Sequence, residues 1–103
     1  MVAYALINKL TSKAGQRGRV VEILVESGKL FDANDACLLY MVSEDDDDRD
    51  LIWVVDLWTS KDEHAEALQA PELRPFIEQA MPLLEGMPEQ LEVRPVGGKG
   101  VPS

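Results

Sequence analysis

The segment Leu51–Phe76, LIWVVDLWTSKDEHAEALQAPELRPF, contains the transition from strand to helix that decides the fold. Its first eight residues are rich in β-branched and aromatic side chains, which predicts a buried strand. Ser60 and Glu63 then have the spacing of a capping box at the start of a helix. Pro71 interrupts that helix. The segment also carries both tryptophans and the only histidine of the chain, so the search for a functional site begins here.

Working outward, the sequence predicts three more strands, at Val2–Leu10, Ala36–Ser43 and Glu89–Val96. A long helix is predicted over Gln16–Leu30 and a further helix over Pro75–Glu85. The acidic stretch Glu44–Asp50 reads as an exposed hairpin loop. The order β-α-β-β-α-β predicts an α+β, ferredoxin-like fold, with a four-stranded antiparallel sheet and helices on one face. We expect residues 1–103 to form one domain, with 97–103 as a loose tail.

Both faces of the predicted sheet are apolar. Along the third strand, one face carries Leu51, Trp53, Val55 and Leu57, and the other carries Ile52, Val54, Asp56 and Trp58. Helices can cover only one of these faces, and a monomer rarely exposes the other. The pattern therefore predicts an obligate homodimer that pairs through the uncovered face of the sheet, and a different partner protein is the alternative.

Composition limits the classes of partner. The 103 residues are 46% hydrophobic and 28% charged, as in globular proteins, and the formal net charge of −9 disfavours nucleic acid and anionic membranes. A neutral, aromatic or weakly cationic ligand stays compatible. The single cysteine, Cys37, cannot form an internal disulfide, and the start of the chain lacks a signal-peptide pattern. We expect a reduced, cytoplasmic protein.

Three local motifs, in this order, resemble the antibiotic biosynthesis monooxygenase (ABM) family of the dimeric α+β barrel superfamily. They are INKLTSKAGQRGRVVEIL (7–24), VVDLWTSKDEHAEALQAPELRPF (54–76) and LEVRPVGGKG (91–100). The resemblance covers Ala3 to Gly100. It implies a small homodimer with a pocket between sheet and helices in each subunit.

The resemblance also implies a chemistry. Characterised members oxidise aromatic polyketides, anthrones or quinols with molecular oxygen and use no flavin, haem or metal. We therefore expect no cofactor and no metal. Relatives that degrade haem need a histidine in the later helix, and the stretch FIEQAMPLLE (76–85) has none. The acidic loop does not fit an EF-hand, because counting from Asp46 puts Leu51 and Leu57 where glycine and glutamate are required.

Asn8 and Trp58 are the first two candidate catalytic residues. The position of Asn8 in the first strand is similar to that of a family asparagine whose amide can bond a substrate or peroxy oxygen. A structural amide in the core is the alternative. Trp58 offers an aromatic substrate a stacking surface and one N–H donor. Its alternative is a packing role in the core or interface.

Asp56 and His64 are the other two candidates. Asp56 could orient a partner or act as a base, but we favour a structural pair with Arg94 or Arg74. His64 is the natural proton acceptor near neutral pH, yet its place among charged residues predicts exposure. The family more often has a pocket histidine three residues later, where this chain has Ala67.

The function hypothesis is cofactor-independent oxygenation of an electron-rich aromatic such as a quinol, anthrone or polyketide. One alternative is a non-catalytic homodimer that binds a small ligand or serves as an interaction module. Another is an isomerase or lyase on the same scaffold. A closed pocket joining Asn8 and Trp58 would favour chemistry, whereas a filled core there would favour the binding or structural alternatives.

Overall fold

The computed structural model describes residues 3–102 of the chain. The strands are β1 (Tyr4–Thr11), β2 (Cys37–Glu44), β3 (Leu51–Trp58) and β4 (Glu89–Val93). The helices are α1 (Arg17–Gly28), α2 (Lys61–Ala67) and α3 (Arg74–Ala80). Short 3-10 turns lie at Lys29–Phe31, Pro71–Leu73 and Met81–Leu83. Within the described residues, no helix has the length and apolar composition needed to cross a bilayer.

The four strands form one antiparallel sheet in the order β2-β3-β1-β4. The two central strands pair along their full length, with Tyr4 opposite Trp58 and Thr11 opposite Leu51. The helices pack on a single face of this sheet, which confirms the predicted ferredoxin-like α+β fold. The capping box is confirmed in part, because the Ser60 side chain accepts the backbone N–H of Glu63.

Some predicted boundaries were wrong. The last strand ends at Val93 rather than Val96, because Pro95 has no N–H for the ladder and restricts the residue before it. The helix predicted to run to Glu85 ends as an α-helix at Ala80 and tightens into a 3-10 turn that contains Pro82. The predicted first residue of β1, Val2, lies outside the described residues.

The main core lies between α1 and the two central strands, and its buried members are Leu10, Val20, Ile52, Val54 and Leu84. Val20, Ile23 and Leu24 recur at helical spacing in the sequence, which predicts that they face inward on α1, and they are buried or partly buried. The same spacing predicts that Ile77 and Met81 face inward in the last helical region, but both are exposed. Ile77 borders an open cavity instead of packing, and Met81 lies in the tighter 3-10 turn, where the helical period changes.

The uncovered face of the sheet keeps exposed apolar side chains in the single chain. Leu39 and Met41 on β2 are each more than two-fifths exposed, as is Leu91 on β4. The register places these residues on the same face as Val55 of β3 and Ile7 of β1. The face therefore has the apolar character that the sequence predicted for it.

A cation that sequence reasoning missed holds the acidic hairpin loop. The Arg17 Nη1 atom donates to the carbonyl oxygens of Asp45 and Asp48, at 2.9 Å each, and Nε lies 3.3 Å from Glu44 Oε2. Within the loop, the Asp45 carboxylate accepts the backbone N–H of Asp48 and the indole N–H of Trp53. The loop is thus exposed, as expected, but tied to the first turn of α1.

Gly28 is required by the close approach of α1 to β2. A Cβ atom at this position would lie 2.6 Å from the Cδ1 and Cε1 atoms of Tyr40. We expect Gly28→Ala to lower the free energy of unfolding by about 1–3 kcal/mol through overpacking, despite the better helix propensity of alanine. Urea denaturation measures this change.

Gly18 supplies the matched control in the same helix, because a Cβ there would meet nothing within 4 Å. Gly18→Ala is expected to leave the free energy of unfolding unchanged or to raise it by up to about 1 kcal/mol. Equal stabilisation by both alanines would contradict the proposed contact between Gly28 and Tyr40.

Candidate active site

A cavity of about 290 Å³ lies between the sheet and the helices. Its sheet side carries Asn8, Asp56 and Trp58, and its helix side carries His64 and Leu68. The volume is near the lower end of the roughly 300–1,000 Å³ typical of ligand pockets, so it suits one small molecule. All four candidate residues therefore border one cavity. It joins Asn8 and Trp58, as the chemical hypothesis requires, but it is open to solvent rather than closed as predicted.

A larger hollow of about 380 Å³ lies at the edge of the sheet beside β2, where Lys29 and Leu39 border it. It contains none of the four candidate residues. Its thiol, Cys37, has a pKa raised by burial, so the reactive thiolate is disfavoured. Lys29 and Asp32 both border the hollow, but Lys29 pairs with Glu26 instead. We therefore place the functional site in the inner cavity, where the four candidate residues meet.

Asp56 is the centre of the polar network in the inner cavity. Its Oδ2 atom accepts the indole N–H of Trp58 at 2.7 Å, and its Oδ1 atom accepts an amide N–H of Asn8 at 3.1 Å. The Nε2 atom of His64 lies 3.8 Å from Oδ2. Only 5% of Asp56 is exposed, so two N–H donors and one imidazole compensate a carboxylate that water barely reaches.

The structure corrects the expected partner of Asp56. Neither Arg94 nor Arg74 forms an ion pair with it, and within residues 3–102 no arginine lies within 4.0 Å of its carboxylate oxygens. Arg94 follows the early end of β4, and Arg74 lies exposed at the start of α3. The neutral donors of Asn8 and Trp58 replace the expected cation.

Asn8 is held on three sides. Its Nδ2 atom donates to the backbone oxygen of Val54 at 3.0 Å as well as to Asp56, and its Oδ1 atom accepts from Gln90 Nε2 at 2.8 Å. Because Nδ2 faces two acceptors, the orientation of the amide is well determined by its contacts. Both amide hydrogens already have acceptors, so in this structure Asn8 positions Asp56.

Trp58 has no exposed surface. The rings of Phe31 and His64 lie against it edge to face, with centroids 5.3 and 5.2 Å away. Direct stacking of a substrate on Trp58 would therefore require Phe31 or His64 to move. In this arrangement the indole closes the inner end of the cavity, and its N–H donates a hydrogen bond to Asp56.

The expectation that His64 is exposed was wrong. Only 12% of its side chain is exposed, and its ring lies between those of Tyr4 and Trp58. The cap at Ser60 starts α2 directly after β3, and His64 and Leu68, one helical turn apart, face the cavity. Ala67, the position at which the family resemblance implied a histidine, does not border it.

Burial shifts the two titratable groups of the network in opposite senses. Desolvation raises the pKa of Asp56, and the bonds from Trp58 and Asn8 and the nearby His64 offset part of the rise. Desolvation also lowers the pKa of His64, against the opposing effect of Asp56 and Glu92. The imidazole is therefore neutral near pH 7 and able to accept a proton beside a carboxylate that can stabilise the resulting charge.

Sequence reasoning missed Gln90 altogether, and it named Tyr4 only as an aromatic that could line a pocket, without its contact to His64. Gln90 reaches the network only through the pairing of β4 with β1, where it lies opposite Asn8. Tyr4 contacts His64 because β1 and β3 place it opposite Trp58. Both contacts depend on the register of the strands, which cannot be read from a single sequence. Within the described residues, no group of three His, Cys, Asp or Glu side chains has the arrangement of a metal site.

The fold and the cavity define a small α+β protein with a buried acid–base pair, and comparison with known proteins names its family. The family model for antibiotic biosynthesis monooxygenase matches residues 3–79. A protein of Chloroflexus aurantiacus J-10-fl assigned to these monooxygenases is 35% identical, with a TM-score of 0.85 over 97% of this chain and 99% of that chain. The chain belongs to the antibiotic biosynthesis monooxygenase family.

More distant structures share the fold. SnoaB from Streptomyces nogalater, a cofactor-independent oxygenase, has a TM-score of 0.83 at 14% identity, over 96% of this chain and 98% of that chain. A protein of Mycobacterium tuberculosis has the same TM-score at 18% identity, over 94% and 98%. No curated protein matches the sequence significantly.

The lowered pKa of His64 makes a prediction about stability. A histidine whose folded pKa lies below 6.5 contributes fully above that pH, and the contribution is lost as the pH falls from 6.5 through the folded pKa. We expect the free energy of unfolding of the wild type to fall relative to that of His64→Gln as the pH drops from about 7.5 to about 5. Urea denaturation across this range measures the difference. A difference that stays constant or grows on acidification would contradict burial of the neutral imidazole.

Proposed function

We propose that the protein is a cofactor-independent monooxygenase that acts on an electron-rich aromatic, such as an anthrone or a quinol. The observation that carries the proposal is the imidazole–carboxylate pair of His64 and Asp56, 3.8 Å apart inside a largely apolar cavity. Substrates of this class need no flavin or metal, because their anions reduce oxygen directly. A buried base that removes one proton is the main catalytic requirement.

In the proposed reaction His64 accepts the proton released from the acidic C–H of an anthrone. Asp56 stabilises the imidazolium that forms, while Asn8 and Trp58 keep the carboxylate oriented. The substrate anion transfers electrons to oxygen and a carbon–oxygen bond forms. The imidazolium returns its proton to the peroxide. The second C–H bond and the O–O bond then break together, so that CH₂ and O₂ become C=O and H₂O. The substrate is oxidised by four electrons and supplies all of them.

The network gives Asn8, Trp58 and Gln90 supporting roles in this proposal. Each of the first two donates to one carboxylate oxygen of Asp56, and Gln90 fixes the amide of Asn8 from the other side. They are positioning residues, whereas His64 and Asp56 act on the proton. Asn8 could bond a substrate or peroxy oxygen directly only by releasing Asp56 or Val54.

We also propose that two copies pair through the uncovered sheet face to form the dimeric α+β barrel. Exposed apolar side chains on that face, such as Met41 and Leu91, support this arrangement. Sedimentation equilibrium should give twice the mass of one chain, and a stable monomer at micromolar concentration would exclude the dimer. A reduced, cytoplasmic location stays a prediction.

One observation favours a second candidate function, which is binding of a small ligand without turnover. Every N–H of Asn8 and Trp58 side chains that reaches the cavity already has a protein acceptor. In a protein that only binds a ligand, this hydrogen-bond network would stabilise the cavity wall and take no part in a reaction. This alternative predicts ligand binding with no oxygen uptake.

Oxygen consumption tests the proposal. An oxygen electrode would follow 1,8-dihydroxyanthrone and a panel of quinols with a metal chelator present, and absorbance would identify the quinone product. The wild type is expected to exceed spontaneous oxidation, with lower rates for Asn8→Ala and Trp58→Phe. Trp53→Phe, on the opposite sheet face, is the matched control and is expected to keep the wild-type rate. No uptake beyond autoxidation across the panel, from a correctly folded protein, would overturn the proposal.

A further inference from the structure

The cavity contains a negatively charged side chain but, among the described residues, no lysine or arginine to balance it. Asp56 is a carboxylate that is 5% exposed, and its bonded partners are neutral N–H donors. The other polar groups bordering the cavity include Asn8, Gln90 and the imidazole of His64, which is neutral near pH 7 because burial lowers its pKa. Within residues 3–102 no lysine or arginine borders the cavity. A negatively charged ligand that enters near pH 7 would therefore meet one like charge and no cation among these residues.

Two cations, Lys61 and Arg74, lie on elements that border the cavity but do not themselves line it. Lys61 on α2 lies 3.5 Å from Glu92, so its charge is already paired outside the cavity. Arg74 is exposed beside a separate surface hollow that shares Leu68 and Ile77 with the cavity mouth. Glu92 acts on His64 in the same sense as Asp56, which adds to the negative potential near the imidazole.

A substrate with a carboxylate would lose its hydration on entering and gain no ion pair. It would also meet the field of Asp56 in a site of low dielectric constant, where like charges repel more strongly than in water. A phenolic hydroxyl has the opposite property. It can donate a hydrogen bond to a free lone pair of the Asp56 carboxylate, which can accept more than two donors.

We infer that the cavity selects uncharged hydroxyarenes and rejects the same ring systems when they carry a carboxylate. This inference rests on the proposed function and specifies its substrate class. Discrimination of this kind combines an attractive contact for one ligand with a repulsive contact for its competitor.

Equilibrium binding separates this inference from the proposed function, because it needs no turnover. The probes are 1,8-dihydroxyanthraquinone and its 3-carboxylate, titrated into the wild-type protein at about pH 7 and low ionic strength by isothermal calorimetry. We expect the carboxylate to bind about tenfold more weakly or worse. The gap should narrow as salt is added, because ions screen the repulsion.

A variant that adds a cation should reverse the preference. Leu68 is about half exposed at the cavity mouth, so Leu68→Lys is expected to fold and to strengthen binding of the carboxylate alone. Leu68→Gln is the uncharged control and is expected to change both affinities by the same factor. Equal wild-type affinity for the two probes would overturn the inference and leave the proposed function standing. Failure of both probes to bind would overturn the inference, whereas the oxygen-uptake panel separately decides the proposed function.

Discussion

Replacement of His64 by glutamine is expected to lower kcat and kcat/KM for an anthrone by about 10²–10⁴-fold, the usual contribution of a general base. KM should change little, because the lost interaction belongs to the transition state. Glutamine fills a similar volume between Tyr4 and Trp58 but cannot accept and hold the proton. Oxygen uptake with 1,8-dihydroxyanthrone over a range of substrate concentrations measures both constants.

Asp62→Asn is the control for this variant. Asp62 lies two residues earlier on the same helix, α2, and is exposed, so its replacement is expected to leave both kinetic constants within about twofold. A fall in kcat of less than tenfold for His64→Gln, in a protein that unfolds at the same urea concentration, would remove His64 from the proton transfer.

The second large effect concerns stability. Trp58→Ala is expected to lower the free energy of unfolding by about 3–5 kcal/mol, the range for truncation of a buried large aromatic side chain. The indole has no exposed surface, packs against Phe31 and His64, and donates to Asp56. Its removal leaves a cavity and takes one of two N–H donors from a buried carboxylate. Urea denaturation followed by circular dichroism measures the change.

Trp53→Ala is the matched truncation in the same strand. Trp53 is only partly buried, lies on the opposite sheet face, and donates to Asp45 in the hairpin loop. We expect a clearly smaller loss of stability when both variants are compared at the same protein concentration. An equal loss would mean that Trp58 does not occupy the enclosed position described above.

The fold was largely predictable because local patterns agreed with one another. The β-branched and aromatic run of β3, the cap at Ser60 and the interruption at Pro71 each marked an element that the structure contains. The failures lie where tertiary contacts decide. The strand β4 ends early because Pro95 cannot donate a backbone hydrogen bond. Ile77 is exposed, although helical spacing predicts it to face inward, because it borders the open cavity.

The candidate site was predictable in its members but not in its geometry. The four residues were found as polar or aromatic side chains in or just after apolar strands. Their contacts depend on the register that sets Leu6 opposite Asp56 and Asn8 opposite Val54. The charged neighbours of His64 predicted exposure, because the sequence alone does not show that α2 folds back across the end of β3. The arginine partner of Asp56 was expected for charge balance, and neutral donors provide the stabilisation instead.

The measurement that tests the central claim most directly is anaerobic mixing of the protein with 1,8-dihydroxyanthrone, with absorbance recorded for the anthrone anion. At a pH where the free anthrone stays protonated, we expect a detectable fraction of bound anthrone anion in the wild type and almost none in His64→Gln. When oxygen is then admitted, the anion should be oxidised to the anthraquinone and its absorbance should disappear. Oxygen uptake by a wild-type protein that forms no anion, or equal anion formation in the two proteins, would contradict proton removal by the pair of His64 and Asp56.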